Sequence, residues 1–98
     1  MGLPDHLIVL RKSMYYMYVL KSLDSKDYYV GYSSDLRKRV EAHKSAESRF
    51  GKQHKEIELI YYEAYQTESL ARTREAKLKK NRRMKQLLIE RLSGQGSS

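Results

Sequence analysis

Five polar side chains, far apart along the chain, could together cut a phosphodiester bond: Tyr18, Tyr29, Arg39, His43 and Glu75. A hard divalent cation often binds to only one or two carboxylates and completes its shell with water and substrate phosphate, so Glu75 could serve as its protein ligand. Arg39 could neutralise the charge that gathers on the phosphate oxygens. Tyrosine and histidine could then transfer protons, and a cationic pocket would help Tyr18, whose ordinary pKa near 10 makes it a poor base at neutral pH.

Each of these residues, taken alone, has an ordinary structural explanation. Strand tyrosines usually fill the core with a hydrogen-bonded hydroxyl, and a helical histidine is usually packed and satisfied. Glu75 could simply pair with Lys79, one helical turn later. Only the combination favours chemistry, and the sequence contains no glycine-rich phosphate loop, CxxC pair, HExxH or GxSxG motif that would suggest another reaction.

Two of the five residues fall in a predicted β-hairpin. Residues 15–20 and 28–31 are rich in aromatic and β-branched side chains, and the polar segment 23–27 separates them. Alternation places two sets on opposite faces of the first strand: Tyr16, Tyr18 and Leu20 on one face, and Tyr15, Met17 and Val19 on the other. Residues 56–65 alternate and then become apolar on both sides, which predicts a third strand that enters the middle of the sheet.

Helical patterns carry the other three residues. Ser33, Ser34 and Asp35 offer an N-cap for a helix that should end near residue 46, and Arg39 falls on its inward side together with Leu36, Val40 and His43. Residues 45–55 are polar and predict a loop. Thr67 should cap a second helix ending near Lys80, with an inward stripe of Leu70, Ala71, Arg74 and Leu78 and with Glu75 at the edge of that stripe. A last helix carries Met84, Leu87, Leu88 and Leu92.

The element order is therefore strand, strand, helix, strand, helix, helix, which predicts an α+β domain: a three-stranded antiparallel sheet flanked by three helices. With 98 residues the chain has room for one compact domain, which we expect to span 14–92 between an N-terminal extension, 1–13, and a flexible tail, 93–98. Without cysteine, and without an apolar run long enough to cross a bilayer, we expect a soluble, cytoplasmic protein with no membrane partner.

A net charge of +8 favours a polyanionic partner. Residues 33–55 carry seven basic side chains against three acidic ones, and residues 72–91 carry nine against two. Two such blocks in a small domain predict binding to the phosphate backbone of nucleic acid, although a basic run alone is more often a solvated helix face. The residues expected to make these contacts are Arg37, Lys38, Lys44, Arg72, Lys79, Arg82 and Arg83.

From residue 14 to about residue 92, the sequence resembles the GIY-YIG nuclease domains, in particular the small standalone bacterial group. Tyr16-Met17-Tyr18 stands where the GIY element would be, and Tyr29-Val30-Gly31 stands for YIG. Residues 34–43 are similar to the family's first helix, in which an arginine is followed four residues later by histidine or tyrosine. Residues 59–65 resemble the third strand of the group, and residues 74–79 its second helix.

The resemblance implies the same sheet flanked by helices, and an endonuclease that hydrolyses nucleic acid, DNA above all, with one Mg²⁺ or Mn²⁺ ion. By position, Glu75 would bind the metal, Arg39 would contact the scissile phosphate and Tyr18 would position or deprotonate the attacking water, with help from Tyr29 and His43. The family includes the incision module of bacterial DNA excision repair. Because this sequence carries no target-recognition domain, we expect low sequence selectivity.

Three positions depart from the family pattern and keep other functions open. Tyr16 stands in place of the glycine of GIY, and Tyr32 follows the YIG glycine where some relatives carry lysine or serine. Asn81 lies too close to Glu75 to match the asparagine that many catalytic members carry further on. The first alternative is a noncatalytic nucleic-acid-binding module of the same fold. The second is a protein-interaction domain whose charge serves solubility.

Overall fold

An antiparallel sheet of three strands, in the order β2-β1-β3, forms the centre of the molecule. The computed structural model describes residues 14–45, 49–54 and 56–94. The strands are β1 (Tyr15–Ser22), β2 (Tyr28–Ser33) and β3 (Ile57–Tyr65), and the helices are α1 (Leu36–Lys44), α2 (Arg49–Gln53), α3 (Glu68–Lys80) and α4 (Arg82–Ser93). The α+β class and the order of strands and long helices are confirmed. The one addition is α2, a five-residue helix in the segment predicted to be a loop.

The central strand is β1, so the prediction that the third strand enters the middle of the sheet is wrong. Four consecutive residues of β1, Met17 to Leu20, are fully buried, because both faces of that strand are covered. The apolar run in β3 has another cause. The pairing of β1 with β3 shifts register between Val19 and Leu20, and this leaves Ile60 as an extra residue on the edge strand. Such a bulge turns two successive apolar side chains, Ile60 and Tyr61, to the same face of the sheet. In the sequence, this interruption of the alternation resembles a strand that is buried on both faces.

Helices cover the two faces of the sheet in pairs. One cluster joins Met17 and Val19 to Val30, Leu78 and Leu88, with α3 and α4 packed over it. On the opposite face Tyr18 and Leu20 pack with Phe50 and Ile57, below α1 and α2. The predicted alternation of β1 is therefore confirmed for its buried residues. Within the described ranges, no helix is long and apolar enough to cross a membrane.

Side chains with the expected chemistry cap the helices. Asp35 caps α1 and Thr67 caps α3, each accepting a hydrogen bond from a backbone N–H three residues on. Asn81 separates α3 from α4 and caps the latter in the same way. The last helix ends at Gly94, whose positive φ of 76° suits glycine. The predicted tail thus begins with Ser93 inside α4 and with this cap, whereas 95–98 and the predicted extension, 1–13, lie outside the described residues.

The inward face of α3 is narrower than the sequence pattern predicts, and that of α4 is narrow too. On α3, Ala71 and Leu78 are buried, but Leu70 is 53% exposed, so its assignment to the inward stripe is wrong. On α4, Leu88 is buried, whereas Leu87 is 48% exposed. A helix that lies on one face of a sheet buries a single stripe, so an apolar neighbour of that stripe can remain at its rim.

Candidate active site

A chain of hydrogen bonds joins the centre of the sheet to the first helix. The hydroxyl of Tyr18, which is fully buried on β1, lies 2.9 Å from Nε2 of His43 on α1. Nε of Arg39 donates to the same hydroxyl at 3.4 Å. Because this oxygen accepts from Arg39, its own proton can be donated to Nε2 of His43. The three residues therefore form a directed chain, from guanidinium through phenol to imidazole.

Gly31 provides the space for the Tyr18 ring. The two residues are partners across the β1–β2 ladder and share one face of the sheet. A Cβ at position 31 would lie 2.8 Å from the ring of Tyr29, and closer still to the ring and hydroxyl of Tyr18. Any side chain here would displace both phenols, so the requirement for glycine is one of space.

Tyr29 closes the aromatic wall of the site. Its half-buried ring lies 4.9 Å from the ring of His43, 5.2 Å from that of Phe50 and 6.1 Å from that of Tyr18. Phe50 belongs to α2, the helix that the sequence did not predict. The segment after α1 therefore contributes directly to the packing that orients Tyr29 and His43.

Glu75 reaches this cluster from α3. Its carboxylate, 22% exposed, forms an ion pair with Nζ of Lys79 at 2.9 Å. That ammonium lies 5.5 Å from the centre of the Tyr29 ring. The negative charge of Glu75 is also close enough to contribute to the raised pKa of Tyr18. Of the five predicted residues, four are joined by hydrogen bonds or ring contacts, and Glu75 adjoins them through Lys79.

Burial sets the protonation of the two central groups. Burial, which outweighs the opposing effect of Arg39, raises the pKa of Tyr18 to about 12. Burial, helped by the positive charge of Arg39, lowers the pKa of His43 below its ordinary value. At neutral pH Tyr18 is therefore a phenol and His43 a neutral imidazole that can accept a proton. The expected cationic pocket exists, but it does not turn Tyr18 into a phenolate.

Arg39 lies on the side of α1 that faces the sheet, as predicted, because its Nε reaches the buried hydroxyl of Tyr18, but the residue as a whole is exposed. Its hydrogen bond to Tyr18, and to a lesser extent the nearby Tyr29, raise the pKa of the guanidinium. The long side chain thus reaches back to the phenols from the rim of the site. This position leaves a positive charge at the surface of the site, where a ligand could meet it.

Comparison with known proteins identifies the family of the chain. Residues 14–87 match the family model described as the GIY-YIG catalytic domain. The chain belongs to the GIY-YIG family. It is 35% identical over 74 residues to the UPF0213 proteins SpyM3_1077 and MGAS10750_Spy1258 of Streptococcus pyogenes serotypes M3 and M4, over 74% of this chain and 79% of each relative. The solution NMR structure of the UPF0213 protein BH0048 from Bacillus halodurans matches with a TM-score of 0.51 at 25% identity, over 79% of this chain and 83% of that one.

GIY-YIG membership makes this a nuclease-type domain and implies nucleic-acid binding in general. The two segments that resemble the family motifs lie on the paired strands β1 and β2. The first motif places Tyr18 in the central strand, and the YIG segment supplies both Tyr29 and the glycine that leaves room for the two phenols. Asn81 has a structural role as the cap of α4.

The predicted nucleic-acid contacts of this GIY-YIG chain lie on two opposite sides of the sheet. All seven side chains are exposed. Those of α1 are Arg37, Lys38 and Lys44, and those of α3 and α4 are Arg72, Lys79, Arg82 and Arg83. Arg72 is already engaged, since it pairs with Glu68 at 3.1 Å and its guanidinium lies 4.7 Å from the centre of the Tyr32 ring. The two basic blocks therefore belong to helices on opposite faces of the sheet, and Lys79 reaches from α3 to the ring of Tyr29 on the α1 side.

A carboxylate network on the other face of the sheet went unpredicted. Glu63 on β3 accepts two hydrogen bonds from Arg74 of α3, at 3.0 and 3.2 Å, and further ones from the hydroxyls of Tyr61 and Tyr65. Burial alone would raise the pKa of Glu63, but these bonds outweigh it and hold the pKa below its usual range. The only signal in the sequence was Arg74 on an inward stripe, which requires a partner of opposite charge.

The donor set of the site suits a weakly coordinated hard cation. Within the part of the chain that the structure describes, no group of three or more His, Cys, Asp or Glu side chains is placed to hold a metal ion. Glu75 offers one carboxylate that is partly open to solvent, and Mg²⁺ commonly binds through one or two carboxylates together with water and substrate phosphate. The residues fit such an ion if Lys79 turns away from Glu75.

Proposed function

We propose that this GIY-YIG chain is a metal-dependent endonuclease that hydrolyses phosphodiester bonds in DNA with low sequence selectivity. One observation carries the proposal: the Arg39–Tyr18–His43 hydrogen-bond chain, which Glu75 adjoins through Lys79 and the ring of Tyr29. Tyr18 packs in the core, and its hydroxyl between a guanidinium and a neutral imidazole also offers a path for a proton beside a cationic rim.

His43, rather than Tyr18, is the base in this scheme. An attacking water that enters from the exposed Arg39 side of the site gives its proton to the oxygen of Tyr18, while the proton of Tyr18 passes to Nε2 of His43 over the observed 2.9 Å hydrogen bond. The raised pKa of Tyr18 and the lowered pKa of His43 favour this division of roles at neutral pH. No free phenolate is required.

Arg39 and Glu75 act on the scissile phosphate, the first directly and the second through a metal ion. The exposed guanidinium of Arg39 binds the scissile phosphate while its Nε keeps the phenol in place, so that phosphate and water meet at the Tyr18 oxygen. Glu75 would hold a Mg²⁺ or Mn²⁺ ion, which when bound supplies Lewis-acid neutralisation of phosphate charge. Tyr29 orders the attacking water beside His43. Low selectivity follows because these groups recognise the phosphodiester and not the bases.

The test is cleavage of single-stranded, duplex and branched DNA with Mg²⁺ or Mn²⁺. We expect Glu75→Gln and Tyr18→Phe to reduce the rate by at least about a hundredfold, in the usual range for loss of one acid–base or electrostatic group. Glu58→Gln, which neutralises an exposed carboxylate on β3, is the matched control and should cleave like the wild type. Equal and negligible cleavage by wild type and Glu75→Gln on every substrate would refute the nuclease.

A noncatalytic DNA-binding module is the second candidate, and the 2.9 Å ion pair between Glu75 and Lys79 favours it, because that pair occupies the carboxylate that would bind the metal. It predicts salt-dependent binding without cleavage. Absence of binding near physiological salt would refute both candidates and favour a domain that binds proteins instead.

A further inference from the structure

A basic groove lies between α4 and the end of the β1–β2 hairpin. Its volume is about 630 Å³, and Leu78 and Ile89 contribute its apolar surface. Five cationic side chains line it: Lys21 and Lys26 from the hairpin, Lys79 from α3, and Arg82 and Lys85 from α4. Three of these residues, Lys21, Lys26 and Lys85, are outside the set that the sequence pattern assigned to nucleic acid.

The positive charge of this groove is largely uncompensated by the protein. Among the described residues, no carboxylate forms an ion pair with Lys21, Lys26, Arg82 or Lys85. Nζ of Lys85 instead donates to the backbone carbonyl of Tyr28 at 3.3 Å, which fixes its ammonium in the wall of the groove. Glu90 is the single acidic side chain in the lining. A concave surface with this balance attracts a linear polyanion.

Lys79 connects the groove to the candidate active site. The same side chain that lines the groove pairs with Glu75 and lies over the ring of Tyr29. Its ammonium therefore stands where the two sites meet. A strand whose scissile phosphate lay at Arg39 and Tyr18 could continue past Lys79 without leaving positively charged surface.

The length of the groove suits several consecutive phosphates. Its α4 side runs from Arg82 to Ser93, and these eleven residue steps span about 16 Å of helix. Phosphates of one duplex strand repeat about every 3.4 Å along the axis, so about four or five can face this length. A flat membrane surface would not enter a concave groove, and the junction at Lys79 favours the substrate strand over an acidic peptide.

We propose that this groove binds the phosphodiester backbone of the DNA strand that flanks the scissile phosphate. The inference rests on the proposed function, because it identifies the path that the bound DNA strand follows away from the scissile phosphate. It assigns the flanking part of the strand to the α4 and hairpin side, while the scissile phosphate stays at Arg39 of α1.

The test is the salt dependence of DNA binding, measured by fluorescence anisotropy with labelled 20-base-pair duplexes of two unrelated sequences, in EDTA so that no cleavage occurs. The groove variant is Lys26→Ala/Arg82→Ala, and both of its side chains are exposed. The control is Arg49→Ala/Lys52→Ala, which also removes one exposed arginine from the first position of a helix and one exposed lysine, but on α2. Circular dichroism melts should show that all variants fold.

For the groove variant we expect the slope of log Kobs against log[salt] to decrease in magnitude by about two, one unit for each lost phosphate contact, equally for both sequences. The control should keep the wild-type slope. An unchanged slope in the groove variant, or an equal decrease of the slope in both variants, would refute DNA binding at the groove and leave the nuclease proposal intact. If the wild type did not bind DNA at 50 mM salt, the proposed function would be refuted, and so would DNA binding at the groove.

Discussion

Gly31→Ala tests whether the Tyr18 phenol really rests on the backbone of β2. The added Cβ would lie 2.8 Å from the Tyr29 ring and nearer still to Tyr18, which is fully buried and cannot move into solvent without breaking its bonds to His43 and Arg39. Where such a substitution fits, it stabilises a protein by about 0.4–1 kcal/mol, because the unfolded chain loses entropy. The packing argument therefore predicts a change of opposite sign.

Forcing an extra carbon into a packed core costs about 1–3 kcal/mol, so we expect Gly31→Ala to lower the free energy of unfolding by about 1–2 kcal/mol after the entropic gain. In a domain of this size that corresponds to a fall in Tm of about 4–16 °C. Urea denaturation followed by circular dichroism measures the first quantity, and a thermal melt the second. Ala64→Val is the control, because it adds carbon atoms at an exposed position of β3 and should leave stability nearly unchanged.

A second measurement reports on the site itself. Since burial is the main cause of the lowered pKa of His43, displacement of the Tyr18 ring should admit water and move that pKa up toward its ordinary value, as followed by NMR of the imidazole. A Gly31→Ala protein that is as stable as the wild type or more stable, with an unchanged His43 titration, would show that the phenol does not occupy this space.

Two further predictions concern ionised groups. The lowered pKa of His43 means that the folded state resists its protonation, so its contribution to stability is complete above about pH 6.5 and is lost as the pH falls from there through the lower folded-state pKa. His43→Gln should flatten the pH dependence of urea unfolding in this interval, and a variant as pH-dependent as the wild type would contradict the assignment. Glu63→Gln should lower the free energy of unfolding by about 1–3 kcal/mol, because Arg74 and two tyrosine hydroxyls lose a charged acceptor. Glu58→Gln on the same strand should change it by less than about 0.5 kcal/mol, and equal effects of the two would refute a special role for Glu63.

Local pattern was sufficient for most of the secondary structure and for part of the site. The hairpin, the helix capped by Thr67 and the alternation of Tyr18 with Met17 follow from neighbouring residues, because strand and helix periods and capping depend on short-range geometry. The helical period also predicts that Arg39 and His43, which are four residues apart, share one face of a helix. The period could not show that Arg39 remains exposed while reaching Tyr18, since its long side chain allows either outcome.

The sequence by itself determined the order of elements, the two basic blocks and the identity of the five polar residues. Only the tertiary structure decided that β1 is central, that the apolar run of β3 contains a bulge at Ile60, and that Lys79 stands between Glu75 and Tyr29. The physical reason is that these features depend on contacts between segments distant along the chain. Such contacts are selected by the packing of whole faces against each other, and no local pattern encodes which faces meet.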